Sequence, residues 1–202
     1  MSFTLRMAGP SPFARKVIIA ASVLGLSSDL KLDPSNTMDE SDSIRGQNPL
    51  GKIPALILED GRVLYDSRVI VEYLDAVAGG GKLIPADMDA RFEALRVQAL
   101  GDGMADAAIL IIYDSRYRPD EDPSEGWLAH QRGKVERTLQ ALEASPPSID
   151  PPNIGAIAVA CALGYLDFRK QVDWRSLNPG LVSWLQDFAA AVPAWDQTRP
   201  DA

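Results

Sequence analysis

The sequence has 202 residues, of which 46% are apolar, and this is enough to bury one sizeable core with material for a second. Such a composition excludes a disordered, collagen-like or coiled-coil chain. Twenty Lys and Arg against 28 Asp and Glu give a net charge of −8, which repels phosphate groups and therefore disfavours nucleic acids and anionic membranes as partners.

The first part of the chain alternates strand and helix patterns. Apolar and polar residues alternate over Phe3–Met7, which predicts a half-buried strand. A Gly-Pro-Ser-Pro segment at residues 9–12 precedes a predicted helix that ends at Gly25. Residues 30–32 are predicted as a short strand, and residues 34–47 as a loop with at most a weak helix. The apolar face of the helix consists of Phe13, Val17, Ala20, Ala21 and Leu24.

A strand hairpin and a further helix are predicted next. Residues 53–58 and 63–65 have the composition of strands, and the Asp-Gly pair at residues 60–61 favours a tight turn between them. The helix begins at Asp66-Ser67, and the three successive glycines at residues 79–81 end it. Its apolar positions are Ile70, Val71 and Leu74.

After Pro85 nearly the whole sequence has the 3.6-residue period of helices. The helix expected over residues 154–168 is apolar almost all round, which places it at the centre of a helical bundle. Residues 146–152 are proline-rich and predict a stiff connector, and the chain after Pro193 is expected to be loosely ordered. The other predicted helices cover residues 92–112, residues 127–142 with Ser124 as cap, and a last segment that begins at Asn178-Pro179.

These elements predict an α/β part followed by an all-α part. The predicted order of the first part is β-α-β-α-β-β-α, and nothing in the second part repeats it. We place the first domain at residues 1–80 and the second, all-helical domain at residues 86–202, with the glycine-rich segment between them.

Cysteine usage and the termini indicate a cellular compartment. Cys161 is the only cysteine, so it forms no internal disulfide, and no Cys-x-x-Cys pair is present. Met1–Met7 lacks the basic start and the long apolar stretch of a signal peptide, and the longest apolar run, residues 154–166, is too short to cross a bilayer. We therefore expect a soluble protein of the reducing cytoplasm with no membrane partner.

Several familiar types of site are disfavoured. The segment Gly79-Gly80-Gly81-Lys82 follows a helix and has no Ser or Thr after the lysine, so it is not a phosphate loop. His130 is the only histidine and lies on a polar helix face, which excludes a Ser-His-Asp triad and favours a surface position. No residues have metal-ligand spacing, so no metal is expected, and Cys161 is expected to be a buried, unreactive thiol.

Ser11 is the first candidate for chemistry. Because Pro12 suits the first position of a helix, Ser11 falls at the N-cap, where its hydroxyl lies at the positive end of the helix dipole. The simpler interpretation is that Ser11 only satisfies a free backbone N–H.

Two further segments carry polar groups in useful places. In Asn48-Pro49-Leu50-Gly51-Lys52-Ile53-Pro54, a cis bond before Pro54 would present the backbone of Ile53 to an extended peptide, although proline also starts strands for steric reasons alone. Asp66-Ser67 opens a helix, where free N–H groups bind a carboxylate and Asp66 binds an ammonium, although such pairs are also ordinary caps.

Together and in this order, four segments resemble the cytosolic glutathione transferases over nearly the whole chain. They are Ser11-Pro12-Phe13-Ala14-Arg15-Lys16-Val17, residues 48–54, Asp66-Ser67 and Gly164-Tyr165-Leu166-Asp167-Phe168-Arg169. The chain is most similar to a bacterial serine-type subgroup. The resemblance implies a thioredoxin-like N-terminal domain, a helical C-terminal domain, a homodimer, glutathione as co-substrate and a cis Ile53–Pro54 bond.

The resemblance also implies roles for individual residues. Ser11 is the catalytic residue and donates its hydroxyl to the glutathione sulfur, which favours the thiolate without a nucleophilic attack by the serine. The other implied glutathione-binding residues are Phe13, Lys52 for the glycine carboxylate, Ile53 and Pro54 for the cysteinyl unit, Asp66 and Ser67 for the γ-glutamyl head, and Asp102 or Asp106 for the γ-glutamyl amine of the partner subunit's ligand.

The sequence departs from the family pattern in three places. Pro10 stiffens the loop before Ser11 and removes a donor N–H. Asn153 and Ala156 stand where the family has a hydroxyl cap and an aspartate, so the cap remains but its return hydrogen bond is lost, which weakens helix initiation by about 1 kcal/mol. Neither Tyr nor Cys stands at residue 11, which disfavours the tyrosine-type classes and the thiol-exchange classes.

The function implied is transfer of glutathione thiolate to a small hydrophobic electrophile, as in detoxification. Two alternatives stay open, a glutathione-dependent peroxidase that uses the same thiolate and a non-catalytic dimeric scaffold that binds glutathione. Arg116, Tyr117 and Arg118 either border the acceptor site or form a solvated helix end.

Overall fold

The N-terminal part contains a four-stranded sheet covered by helices. A computed structural model describes residues 2–200, and its strands are β1 (Phe3–Met7), β2 (Leu30–Pro34), β3 (Ala55–Ile57) and β4 (Val63–Leu64). The sheet order is β2-β1-β3-β4, with β1 and β2 parallel and both other pairs antiparallel. The helices of this part are α1 (Pro12–Val23), the short α2 (Ile44–Gln47) and α3 (Ser67–Val77).

The remaining described residues form helices. These are α4 (Met88–Tyr117), α5 (Glu125–Ala144), α6 (Ile154–Arg169), α7 (Trp174–Leu177), α8 (Pro179–Ala191) and α9 (Ala194–Gln197). The predicted fold class is confirmed, with βαβαββα followed by an all-helical part. The division into residues 1–80 and 86–202 stays a prediction.

Helix α6 is the centre of the helical part, as its composition predicts. Every residue from Ile154 to Leu166 is buried. Gly101 of α4 lies so close to α6 that a Cβ atom would stand 2.8 Å from the backbone of Ala158, so only glycine permits this approach of the two helices. Because α6 also packs against α1, the helical part is joined tightly to the sheet part.

Two expectations about local structure are wrong. Arg6 of β1 is buried, because its guanidinium bonds Asp42, Ser43 and Gln47 of the segment that covers this face of the sheet. Ser124 is the N-cap residue of α5, as predicted, although its hydroxyl makes no capping hydrogen bond in the described part of the chain.

Residues 194–198 are also ordered, contrary to the expectation for the chain after Pro193. Trp195 of α9 is buried, and its ring lies 3.6 Å from the Arg15 guanidinium of α1. Arg15 further donates to the Trp195 carbonyl at 2.6 Å. These contacts fix the C-terminal segment on α1, which the sequence pattern alone does not reveal.

Candidate functional site

The N-terminus of α1 carries Ser11. Its hydroxyl oxygen accepts a hydrogen bond from the Ala14 N–H at 3.2 Å, which confirms the predicted cap, and its own N–H donates to the Ala8 carbonyl at 3.0 Å. Within residues 2–200 no acceptor is bonded to the hydroxyl proton. Ser11 therefore keeps one O–H donor at the positive end of the α1 dipole.

The loop before β3 is held by the buried side chain of Asn48. Its amide group donates to the Lys52 carbonyl at 2.8 Å, and its oxygen accepts from the Leu50 N–H at 3.0 Å. Gly51 completes the turn with φ of +60°, a conformation that favours glycine. Asn48 is not among the predicted site residues, although an Asn three residues before a Gly in a loop is a typical turn signal.

This turn presents the backbone of Ile53. The Ile53–Pro54 peptide is cis, as the family resemblance implies. Among residues 2–200 no hydrogen bond uses the N–H or the C=O of Ile53, which precedes the first residue of β3. Both groups are therefore available to pair with the backbone of an extended ligand. Lys52 is exposed beside them and has no carboxylate within 4.0 Å in the described part of the chain.

At the N-terminus of α3, one residue caps the helix and the next carries free hydrogen-bond donors. Asp66 is the N-cap, and one of its carboxylate oxygens accepts from the Arg68 N–H at 2.9 Å. Ser67 is 2% exposed, and neither its N–H nor its hydroxyl has a hydrogen-bond partner among residues 2–200. A carboxylate placed here would find two donors at a positive helix end.

These groups line one cleft of about 170 Å³ between the two parts of the chain. The cleft brings together all but one of the predicted site residues, because Ser11 is not among its lining residues. Ser11 instead lies two residues before Phe13, which does line the cleft. The lining residues are Phe13, Asn48, Leu50, Lys52, Ile53, Pro54, Tyr65, Asp66, Ser67, Arg68, Asp102 and Asp106. Leu50, Tyr65 and Arg68 were missed because no motif distinguishes them.

Asp102 of α4 is committed to contacts within the chain. It is 3% exposed, and its two oxygens lie 2.7 and 2.8 Å from the Nζ atom of the buried Lys16. The Nε atom of Arg68 donates to the same carboxylate at 2.9 Å. Asp102 therefore joins α1 and α3 to α4, and both of its oxygens already accept hydrogen bonds from cations of its own chain.

Asp106 lies one turn further along α4 and has no ion-pair partner within 4.0 Å among residues 2–200. Partial desolvation in the cleft raises the pKa of Asp106, and the neighbouring Asp102 raises it further, against the opposing charges of Arg68 and Lys52. Of the two predicted carboxylates, Asp106 is thus the one available to a ligand ammonium. Its contact with the partner subunit's ligand stays a prediction.

A larger cavity of about 580 Å³ lies between α6, α8 and the C-terminal segment. Two of its cations are already engaged, since Arg15 bonds the Trp195 carbonyl and Arg175 bonds the Asp167 carboxylate, whereas Lys170 is exposed. The described residues that line the cavity include neither the first residue of a helix nor a strand residue. The smaller cleft is therefore the better candidate on chemical grounds, despite its size.

Cys161 and His130 lie where they are predicted, one buried and one exposed. Cys161 is buried in α6, where desolvation raises the pKa of its thiol to about 12, so it stays neutral and unreactive. His130 is exposed on α5. Within residues 2–200 no group of three or more His, Cys, Asp and Glu side chains has the arrangement of a metal site. In the same part of the chain, no helix is both long and apolar enough to span a membrane.

Comparison with known proteins gives two matching families. The family described as "Glutathione S-transferase, N-terminal domain" matches residues 10–77, and the one described as "Glutathione S-transferase, C-terminal domain" matches residues 125–187. A GST-like protein of Escherichia coli, YibF, whose function is uncharacterised, is 32% identical over 184 residues, which cover 88% of this chain and 89% of YibF.

Solved structures of two complexes agree with this result. A glutathione transferase family member from Pseudomonas fluorescens Pf-5 with bound glutathione superposes with a TM-score of 0.91 at 40% identity, covering 100% of both chains. The complex of a Pf-5 family member with S-(propanoic acid)-glutathione gives a TM-score of 0.88 at 41% identity, covering 99% of this chain and 100% of the other. Both halves of the fold and the order of the cleft segments place this chain in the glutathione S-transferase family.

Proposed function

We propose that the protein binds glutathione in the cleft and transfers its sulfur to a small hydrophobic electrophile. The γ-glutamyl carboxylate binds the N–H and hydroxyl of Ser67, and the adjacent ammonium binds Asp66. The cysteinyl unit pairs with the backbone of Ile53 beside Pro54, and Lys52 receives the glycine carboxylate. Binding of glutathione and of an S-substituted glutathione by similar proteins supports this assignment.

The observation that supports the proposal is that the unpartnered hydrogen-bonding groups of the cleft match the polar groups of glutathione. Two sets of unpartnered backbone and hydroxyl groups, at Ile53 and at Ser67, line the same cleft. Glutathione offers an amino-acid head for the helix end and an extended amide backbone for the strand edge. Residues 2–200 provide no partner for these groups, and a bound tripeptide would satisfy both sets.

We further propose that Ser11 stabilises the thiolate. A free thiol titrates near about 8.5, and a hydroxyl donor at a helix N-terminus favours its anion. The O–H of Ser11 is free to donate, since only its oxygen is used by the cap. The thiol proton leaves to solvent, the sulfur forms a bond to the electrophilic carbon, and the leaving group departs with the electrons of the broken bond.

The test compares conjugation of a dinitro-substituted aryl chloride by the wild type, Ser11→Ala and Ser11→Thr over a pH series. Loss of a hydrogen bond to a charged group is expected to lower kcat/KM roughly 10- to 150-fold in Ser11→Ala and to shift its pH profile toward higher pH. Ser11→Thr is expected to retain most of the activity. Identical profiles for the wild type and Ser11→Ala would remove Ser11 from the mechanism. Calorimetric binding of glutathione without turnover would favour the scaffold alternative.

We also propose that the protein is a homodimer, as the family resemblance implies. Val69 of α3 and Phe92 of α4 are 48% and 63% exposed. An ion pair between Glu72 and Arg91 at 2.7 Å shows that these two helices form one continuous surface. Sedimentation equilibrium is expected to give twice the chain mass for the wild type and a shift toward monomer for Phe92→Glu, whereas a monomeric wild type would refute the dimer.

A further inference from the structure

The face of α4 that borders the cleft continues beyond it. Tyr113 lies seven residues after Asp106, which places it on the same face of the helix and roughly 10 Å further along the axis. Tyr117 follows one turn later, and its hydroxyl lies 3.0 Å from the Sδ atom of Met38 in the N-terminal domain. The C-terminal half of α4 therefore meets the segment around Met38 beyond the residues that line the cleft.

One arginine lies against Tyr113, and a second lies against aromatic residues of the neighbouring helix α6. The Cζ atom of Arg116 lies 5.4 Å from the centroid of the Tyr113 ring. Arg169 of α6 lies with its Cζ atom 4.7 Å from the Phe168 ring, and its Nε atom donates to the Tyr165 hydroxyl at 3.3 Å. We call Tyr113, Arg116, Tyr117, Tyr165 and Arg169 the arginine–tyrosine cluster.

The two guanidinium groups of the cluster lack carboxylate partners. In the described part of the chain, neither Arg116 nor Arg169 has a carboxylate within 4.0 Å. Nearby Arg118 shows the contrast, because it pairs with both Asp114 and Glu121. In a protein of net charge −8, partners for two more arginines are plentiful, yet these two stand against aromatic rings only.

The environment of Tyr113 is also suited to a ligand. Its ring packs edge-on against Tyr117 with centroids 5.0 Å apart, and it is only half-exposed. Desolvation raises the pKa of Tyr113, so its phenol stays a neutral hydrogen-bond donor at physiological pH. Aromatic surface with two free guanidinium groups and a neutral phenol favours a flat molecule that carries an anion.

We propose that the arginine–tyrosine cluster selects aromatic electrophiles that carry a carboxylate. This inference rests on the proposed function and names the substrate class of the same site. The electrophile's ring packs against Tyr113, and its carboxylate pairs with Arg169 and Arg116, so the reacting carbon is directed along α4 toward the glutathione sulfur in the cleft. Glutathione itself is bound by different residues and does not depend on the cluster.

The test measures binding, so that the electronic effect of a carboxylate on reactivity does not enter. S-(4-carboxybenzyl)glutathione and S-benzylglutathione are titrated by calorimetry into the wild type, Arg169→Gln, Arg116→Gln and the double variant. Arg118→Gln is the matched control, since it removes an arginine of the same helix end that is already paired. Circular dichroism checks that each variant is folded.

The wild type is expected to bind the carboxylated conjugate about tenfold more tightly than the neutral one, and the double variant to lose this preference, in line with a charge-assisted hydrogen bond at a partly exposed site. Arg118→Gln is expected to keep it. If S-benzylglutathione binds but the carboxylate gives no preference, or if the preference survives the double substitution, the inference is overturned while the proposed function stands. If neither conjugate nor glutathione binds, the proposed function fails and the inference fails with it.

Discussion

The N-termini of α1 and α3 border the same cleft, yet they use their serines differently. At α1, Ser11 is both the helix cap and the proposed hydrogen-bond donor to the thiolate. Its hydroxyl oxygen accepts a bond from the helix, and its hydroxyl proton is left for the ligand. At α3, Asp66 is the cap, and among residues 2–200 neither the N–H nor the hydroxyl of Ser67 has a hydrogen-bond partner. The serine hydroxyl therefore serves both stability and function at α1, whereas at α3 the serine serves the ligand alone.

The two helices also differ in the ion pair that joins each of them to α4. Both reach the carboxylate of Asp102, but the partner on α1 is Lys16, which is 1% exposed, whereas the partner on α3 is Arg68, whose side chain is 51% exposed. A buried charge without its partner is costly, while an exposed one is hydrated by solvent. The α1 end is therefore expected to be the more rigid of the two.

The largest effect is expected from the two partners of Asp102. Lys16→Met leaves a buried carboxylate with one exposed partner and is expected to lower the free energy of unfolding by about 3 kcal/mol, near the lower end for a broken buried pair because Arg68 remains. Arg68→Met is expected to cost less than about 1 kcal/mol. Urea unfolding followed by circular dichroism measures both, and equal losses would contradict the asymmetry.

Glutathione binding is expected to be weakened more by substitution of Ser67 than by substitution of Ser11, which is the reverse of the order expected for stability. Ser67→Ala removes a donor to the γ-glutamyl carboxylate and is expected to weaken glutathione binding by about tenfold or more, since the lost bond involves a charged group. The pH profile of kcat should not move, because the sulfur is untouched. Ser11→Ala is expected to move that profile and to change the Kd for glutathione much less. A shifted pH profile in Ser67→Ala would mean that the two ends are not independent.

The free energy of unfolding is expected to distinguish the capping residues Ser11 and Asp66 from Ser67 by about 1 kcal/mol. Ser11→Ala and Asp66→Ala each remove a side-chain cap and are expected to lower the free energy of unfolding by about 1 kcal/mol. Ser67→Ala breaks no bond within the protein and should remain within about 0.5 kcal/mol of the wild type. Ser11→Thr, which keeps a capping hydroxyl, is the control, and a loss in Ser11→Thr as large as in Ser11→Ala would show that the cap is not the cause.

Local signals in the sequence predict the helix caps but not the ion pairs that join α1 and α3 to α4. Pro12 after Ser11, and Asp66 before an apolar helical pattern, are short-range features whose physical cause lies within one helical turn. The Lys16–Asp102 pair joins residues 86 positions apart, and nothing in a single sequence marks which of 28 acids meets a given lysine.

The errors of sequence reasoning have the same origin. Arg6 has the spacing of a solvent-facing strand residue, and it is buried only because the segment before α2 folds over it. Trp195 follows a proline near the chain end, where disorder is a reasonable expectation, and it is ordered by Arg15 from the opposite end of the chain. Long-range contacts override the local pattern in both cases.

The smallest effect is expected at Asp106, which shares the cleft face of α4 with Asp102 but has no partner there. Its pKa is raised above the ordinary 3.8, so the folded state holds the proton more tightly than the unfolded state. The stability that this proton provides is fully present below 3.8 and is lost as the pH rises through the raised value. At neutral pH the ionised Asp106 is therefore mildly destabilising.

Asp106→Asn is accordingly expected to raise the free energy of unfolding at pH 7 by less than about 1 kcal/mol, because the side chain is exposed and its charge is screened. The gain should shrink as the pH falls toward 3.8, where the wild type becomes protonated in both states. Asp187→Asn, on the exposed side of α8, is the matched control for removing one negative charge from an acidic protein. A gain of the same size in Asp187→Asn would assign the effect to net charge, and a loss in Asp106→Asn would show that Asp106 has a cationic partner in the assembled protein.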